Sequence, residues 1–340
     1  MISSTAHKIL APLAAAALVA GGTVLLDRAE GPAQALHTAS VRTAPGSGEP
    51  HQEGVAHQAA AVTEEQDRAV LDYWTLERMA AARPVSSLLE GAPTADPPAA
   101  ASQAAPRADS PGAPWSAGGR VVRTTGKVYL TMDGTDLTCT ASVVDARNRS
   151  TLITAGHCVK DGRGSWARNW TFVPAYADGE TPHGRYTARD LLVPPQWSRD
   201  ADDSYDFAMA VLNTDGGTPV QDRVGAQQIS FSTWTADRVR EGVQVYAFGY
   251  PAVPPYDGSA LHYCSGRTRA DSGGTTANGM RCDMTQGSSG GPWFTGFDTG
   301  TGTGTIASVV SFKYEDDSRT QYGPRLGAQA RELYESAAAL

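Results

Sequence analysis

The sequence predicts an all-β domain over residues 115–340. Three observations carry that expectation. Gly occurs 36 times and Pro 21 times in 340 residues, which supplies turns at short intervals. From Trp115 onward, short strand-like runs alternate with those turns. Only Gly327–Ala338 has a helical pattern, and it comes last. Many short strands with one late helix indicate a β-sandwich or a pair of barrels.

Taken in order, Met1–Ala35 reads as a secretory signal peptide. Lys8 supplies a positive start, Ile9–Leu26 is an uncharged and mostly apolar run, and Ala33-Gln34-Ala35 has the small-x-small form of a cleavage site. An uncleaved anchor fits less well, because Pro12, Gly21 and Gly22 interrupt the run. Residues 36–114 form a second zone dominated by Ala, Pro, Ser and Gln. Within it, Thr63-Glu64-Glu65-Gln66 is a capping-box pattern, and Val70, Leu71, Trp74 and Met79 suggest a helix ending before Pro84. A lone short helix is marginal in water, so it is expected to dock as part of a propeptide. Pro93–Pro114 reads as an extended linker.

The expected strands of the third zone are Lys127–Met132, Leu137–Val144, Ser150–Thr154, Trp170–Val173, Phe207–Leu212, Val243–Phe248 and Thr305–Phe312. Asp133-Gly134 between the first two is a hairpin signal. Asp298–Thr305 is a Gly/Thr turn.

Charge and composition narrow the function. The net charge is −8, which argues against a nucleic-acid partner, since phosphate neutralisation needs a basic face. At 41% hydrophobic residues, a packed core is feasible. Export makes disulfides expected among the four cysteines, Cys139, Cys158, Cys264 and Cys282, and four cysteines allow three connectivities. Their spacings fit no usual zinc pattern. Asp200, Asp202 and Asp203 read as a solvated acidic loop rather than a calcium site. Asn148-Arg149-Ser150 and Asn169-Trp170-Thr171 match the glycosylation sequon and are read as chance.

One constellation carries chemistry. Leu152–Cys158 is an apolar strand ending in Thr154-Ala155-Gly156-His157-Cys158. Gly287-Ser288-Ser289-Gly290-Gly291-Pro292 places a serine on a glycine turn. Asp206 starts an apolar run between them. A serine hydroxyl needs a base at neutral pH, and histidine has the right unperturbed pKa. A carboxylate on the other imidazole nitrogen fixes the tautomer. The glycines let the Gly287 and Ser289 N–H groups converge on a developing oxyanion. The order His157, Asp206, Ser289 matters. An α/β-hydrolase elbow needs a histidine after the serine, and none follows Ser289.

On these two motifs the domain resembles the chymotrypsin-like serine peptidases, near the secreted bacterial trypsin and glutamyl-endopeptidase branch. The resemblance implies two packed six-stranded antiparallel β-barrels with the site in the cleft between them. It implies His157 as base, Asp206 as orienting acid with Asp202 and Asp203 as close competitors, and Ser289 as nucleophile. It favours the disulfides Cys139–Cys158 and Cys264–Cys282. It places Asp283, Ser311 and Lys313 at the specificity pocket, with Lys313 where glycine is usual. Val310 stands where glutamyl-specific members have histidine. Ser288 stands where the family has an aspartate that pairs with a new N-terminus, so a cut after Arg120 loses its electrostatic rationale. The expected protein is a secreted, monomeric endopeptidase acting on proteins or peptides. It needs no cofactor or metal, its own propeptide is a partner, and it keeps no stable membrane association after signal cleavage. The alternatives are an inactive homologue that binds a protein and an esterase with the same triad.

Overall fold

A computed structural model describes residues 54–85 and 105–340. The signal segment Met1–Ala35 lies outside the described residues, as do 36–53 and 86–104.

The chain enters through β1 (Ala56–Ala59), α1 (Glu64–Tyr73), α2 (Leu76–Ala81) and β2 (Arg83–Pro84). The capping box is formed as read. Thr63 Oγ1 accepts from Gln66 N, and Gln66 Oε1 accepts from Thr63 N. The expected single helix is broken in two, because Trp74 turns out of it. Its ring is 2% exposed, lies 5.4 Å from the Tyr129 ring, and donates from Nε1 to the Asn169 carbonyl at 2.6 Å. Burying that indole outweighs one more turn of a solvent-facing helix. Tyr73 and Arg78 add bonds to Asp136 at 2.6 and 3.0 Å. The segment thus docks on the outside of the first barrel.

After the undescribed stretch comes β3 (Ser110–Pro114). The sequence reading places these residues in the linker, and the structure makes them a strand. Pro111 and Pro114 are tolerated because β3 lies at the edge of its sheet.

The first barrel is β4 (Thr125–Met132), β5 (Thr135–Val143), β6 (Thr151–Thr154), β7 (Arg168–Pro174), β8 (Tyr186–Val193) and β9 (Ala208–Leu212). It closes in the order β4-β5-β6-β9-β8-β7, with β7 returning to β4. β1 extends it at β8, and β2 lies on the edge of β5. Asp133 and Gly134 both have positive φ, at 47° and 78°, as the tight β4–β5 turn requires. Alternate residues such as Val128, Leu130, Leu137 and Phe172 fill its interior.

The short β10 (Gln228–Ile229) leads to the second half. Its strands are β11 (Gln244–Gly249), β12 (His262–Arg267), β13 (Arg269–Ala270), β14 (Asn278–Arg281), β15 (Pro292–Asp298), β16 (Thr303–Val309), β17 (Phe312–Tyr314) and β18 (Asp317–Gly323). They form a six-stranded sheet, β10-β16-β15-β11-β12-β3, and a four-stranded sheet, β13-β14-β18-β17. The wall passes between the sheets where β12 runs on into β13 and β16 into β17. This is the two-barrel arrangement, with the second barrel made from two sheets. Val245, Ala247, Cys264, Met280 and Trp293 form a cluster that draws on both sheets. On the other face of the six-stranded sheet, the aromatic side chains of Trp115, Phe248, Tyr263 and Phe294 form one core with Ile153, Met209 and Val211 of the first barrel. The C-terminal helix, Ala328–Ala339, packs on that core. Asn148 lends its amide to the carbonyls of that helix end, so this sequon is structurally occupied. Among the described residues no helix is long and apolar enough to cross a membrane.

Candidate active site

His157 sits in a single turn of 3-10 helix (Gly156–Cys158) after β6. Asp206 closes another such turn (Asp203–Tyr205) before β9. Because β6 and β9 pair, the two turns emerge side by side. Asp206 uses both carboxylate oxygens on His157. Oδ2 meets Nδ1 at 2.8 Å, and Oδ1 accepts from the backbone N–H at 2.8 Å. The Ser311 hydroxyl donates a third, short bond to Oδ2. Gly156 is required here, since a Cβ would lie 2.9 Å from Asp206 Oδ1 and from the Trp197 ring.

Burial penalises both charges, but each partner overrides it for the other. Asp206 is fully buried, which would raise its pKa. The His157 charge and the bonds from His157 and Ser311 hold it below the usual carboxylate range. Burial would lower His157, and Asp206 raises it instead. His157 Nε2 is buried and has no hydrogen-bond partner. The competitors are elsewhere engaged. Asp202 caps its turn through Ser204 N, and the Asp203 charge adds to the field that raises His157.

Ser289 lies on the loop before β15 and is 5% exposed. β5 holds that loop to the first barrel through Thr140. Thr140 N donates to the Ser289 carbonyl at 2.8 Å, and its hydroxyl donates to the Gly287 carbonyl at 2.9 Å. Nothing in the sequence sets Thr140 apart, one of several threonines in a strand. The Cys139–Cys158 disulfide runs beside it, and Cys158 Sγ lies 3.6 Å from the Ser289 carbonyl.

The two N–H groups expected to bind an oxyanion are oriented through the far ends of their peptides. Gln286 O is pinned by Ala252 N at 2.7 Å, and Ser288 O by Gly291 N at 3.0 Å. A trans peptide points its N–H opposite its carbonyl, so both anchors aim Gly287 N–H and Ser289 N–H away from them. Gly287 has φ 98°, and a Cβ there would lie 2.6 Å from the Tyr250 carbonyl.

The profile of the trypsin-like peptidase domain matches residues 139–301. The structure of protease Anisep from Arthrobacter nicotinovorans is 39% identical, with a TM-score of 0.60. The match covers 64% of this chain and 96% of that one. The thermostable serine protease AL20 from an extremophilic microorganism is 40% identical, also at TM-score 0.60, covering 65% and 99%. The chain belongs to the trypsin-like serine peptidases. A Glu endopeptidase structure, 21% identical over 68% of this chain and 98% of its own, shares the fold at TM-score 0.54. An extracellular metalloprotease of Bacillus subtilis is 32% identical over 82 residues, and the chain spans a quarter of that relative's length. Among the described residues the one converging trio of donors is Cys139, His157 and Cys158, and its two sulfurs are bonded to each other.

The residues expected at the specificity pocket are already engaged with one another and with backbone. Asp283 receives the Tyr256 hydroxyl at 2.6 Å, and its N–H donates to the Pro111 carbonyl at 2.6 Å. Gly112 of β3 lies against the carboxylate, leaving no room for a Cβ. Lys313 does not bond Asp283. Its ammonium donates to the carbonyls of Cys282 and Ser318 at 2.8 and 2.6 Å. Burial lowers its pKa to about 8, against the pull of Asp283 and Asp317. The second disulfide, Cys264–Cys282, ends next to Asp283. Val310 is buried and bonded through both backbone groups to the Gly290-Gly291 turn.

Ser288 is likewise occupied. Its hydroxyl donates to the Thr285 carbonyl at 2.7 Å. Val121 is fully buried, and its N–H donates to the Gly302 carbonyl at 2.8 Å.

Proposed function

We propose that this protein is an exported serine endopeptidase working through His157, Asp206 and Ser289. The observation that carries the proposal is the buried His157–Asp206 pair with Nε2 left unpartnered. An imidazole fixed on one nitrogen by a carboxylate presents a basic lone pair on the other. The hydroxyl–imidazole bond is often unformed until substrate binds, so an unpaired Nε2 suits a resting site.

In the proposed reaction Ser289 Oγ attacks the peptide carbonyl as its proton passes to His157 Nε2. Asp206 stabilises the imidazolium, and the N–H groups of Gly287 and Ser289 receive the oxyanion. His157 then gives the proton to the leaving amine, and water cleaves the acyl-enzyme by the reverse sequence. Two disulfides and an 82-residue likeness to an extracellular protease of Bacillus subtilis support export. Residues 54–85 would be a propeptide packed on the first barrel. Asp283, Ser311 and Lys313 would shape the pocket, with Ser311 acting through Asp206.

A fluorophosphonate probe tests this directly. Stoichiometric labelling at Ser289, abolished in Ser289→Ala, is the expected result. No labelling of the processed, disulfide-intact protein would overturn it. Matched ester and peptide substrates then separate peptidase from esterase.

A further inference from the structure

Twelve residues, Tyr250–Leu261, connect β11 to β12 with no regular structure of their own. This strap is what holds the nucleophile loop in shape. Ala252 N pins Gln286 O at 2.7 Å. Val253 exchanges two bonds with the Thr285 hydroxyl, at 3.1 and 2.9 Å. Tyr256 binds Asp283, and the Tyr250 carbonyl packs where Gly287 lacks a Cβ. The direction of the Gly287 N–H therefore depends on where the strap sits.

The strap's far side is tied to the first barrel. Lys127, on β4, donates from Nζ to the Gly258 carbonyl at 3.0 Å. Asp178 N donates to the Ser259 carbonyl at 2.9 Å. Lys127 is 6% exposed, with its ammonium 4.6 Å from the Tyr176 ring centroid and 5.5 Å from that of Tyr129. A buried ammonium with no ion pair among the described residues is a costly way to fill space. A methionine of similar length would be cheaper, so packing alone does not account for it.

We infer that Lys127 is a positioning residue for the oxyanion-binding loop, holding Gly287 N–H on target through the Tyr250–Leu261 strap; this rests on the serine-peptidase reading above. The groups facing its ammonium are Asp257 from the strap, Tyr129 from its own strand and Tyr176 from the turn after β7, with the Tyr250 ring behind Tyr176 at 5.9 Å. Burial lowers the Lys127 pKa to about 8, and Asp257 opposes the shift. The tie therefore weakens as the pH rises through that value, when the cation that sits on the tyrosine rings is lost.

The test uses the processed enzyme, its active sites counted with the fluorophosphonate, and compares wild type, Lys127→Met and Lys127→Arg. Removing an oxyanion donor outright costs about 10²–10³ in turnover, so a misaimed one should cost about tenfold or more in kcat. Lys127→Met should lose that factor per titrated site with KM within about twofold. Lys127→Arg should recover most of kcat at neutral pH. It should also keep kcat through alkaline pH, where wild type declines. Lys313 also has a pKa near 8 but is present in all three proteins, so the difference between variants decides. Equal kcat in wild type and Lys127→Met, a loss confined to KM, or an Arg variant with the wild-type alkaline limb would each overturn the inference. If Lys127→Met does not fold, the Arg pH profile still decides. A wild-type enzyme that fails to label at Ser289 overturns the underlying reading, and this inference with it.

Discussion

The two halves of the site are held in different ways. The His157 half is held by side-chain charge. One fully buried carboxylate binds the ring and backbone of His157 and takes the Ser311 hydroxyl. The Ser289 half is held by backbone. Its loop is fixed by bonds to its carbonyls from Thr140, Ala252 and Gly291. The difference teaches where each half is fragile. The first fails when a charge is removed. The second fails when a neighbouring loop shifts.

The sharpest way to break the first half is Asp206→Asn. The shape stays, but the amide can present its N–H to Nδ1 and select the wrong tautomer. Turnover should fall about 10⁴-fold. Burst kinetics on an activated ester would show the loss in acylation. A variant within tenfold of wild type would mean that Asp206 is not the orienting acid.

Next in size is Thr140→Val, aimed at the second half. It leaves the Thr140 N–H bond to Ser289 and removes the hydroxyl, stranding the Gly287 carbonyl and the Tyr250 N–H. Leaving buried partners unsatisfied costs about 1–3 kcal/mol of stability. We expect kcat to fall by tens of fold with KM nearly constant, in line with a misaimed oxyanion donor at about 10²-fold or less. Loss of KM alone would place Thr140 outside the oxyanion machinery.

The two motifs around His157 and Ser289 were legible because the chemistry forces particular residues into contiguous sequence. Asp206 is set apart from Asp202 and Asp203 by its place before an apolar strand, and it is the one that meets His157. The supports were not legible, for physical reasons. Thr140, Lys127 and Tyr256 act across 27 to 147 positions, through bonds to carbonyls or single side chains that any sequence offers. Ser110–Pro114 looked like linker because an edge strand needs only a few backbone bonds, not β-forming side chains. The break at Trp74 was invisible because what stops the helix is a pocket on the barrel, not a residue in the helix.

The disulfides sharpen the comparison at constant stability. Their loops span 19 and 18 residues, so each contributes about 3 kcal/mol by the loop-entropy account. Replacing Cys139 and Cys158 by Ala should therefore lower the melting temperature about as much as replacing Cys264 and Cys282. The kinetic signatures should differ. The first bridge abuts His157 and the Ser289 carbonyl, so its loss should act on kcat. The second ends beside Asp283, so its loss should act on KM. Matching signatures would mean that the bridges serve stability alone.

The smallest effect is a shift of pH dependence, and it bears on charge as the organiser of the first half. Asp206 raises the His157 pKa above its ordinary value, so Nε2 becomes protonated, and activity is lost, as pH falls through that raised value. Ser311→Ala removes one of the bonds that hold Asp206 anionic while leaving its two contacts to His157. The carboxylate becomes a slightly better acceptor for the imidazolium, so the acidic limb of kcat/KM should move up in pH, by a few tenths of a unit for a bond of about 0.5 kcal/mol net effect. A limb that moves down would mean that Ser311 acts on His157 by packing rather than through the carboxylate.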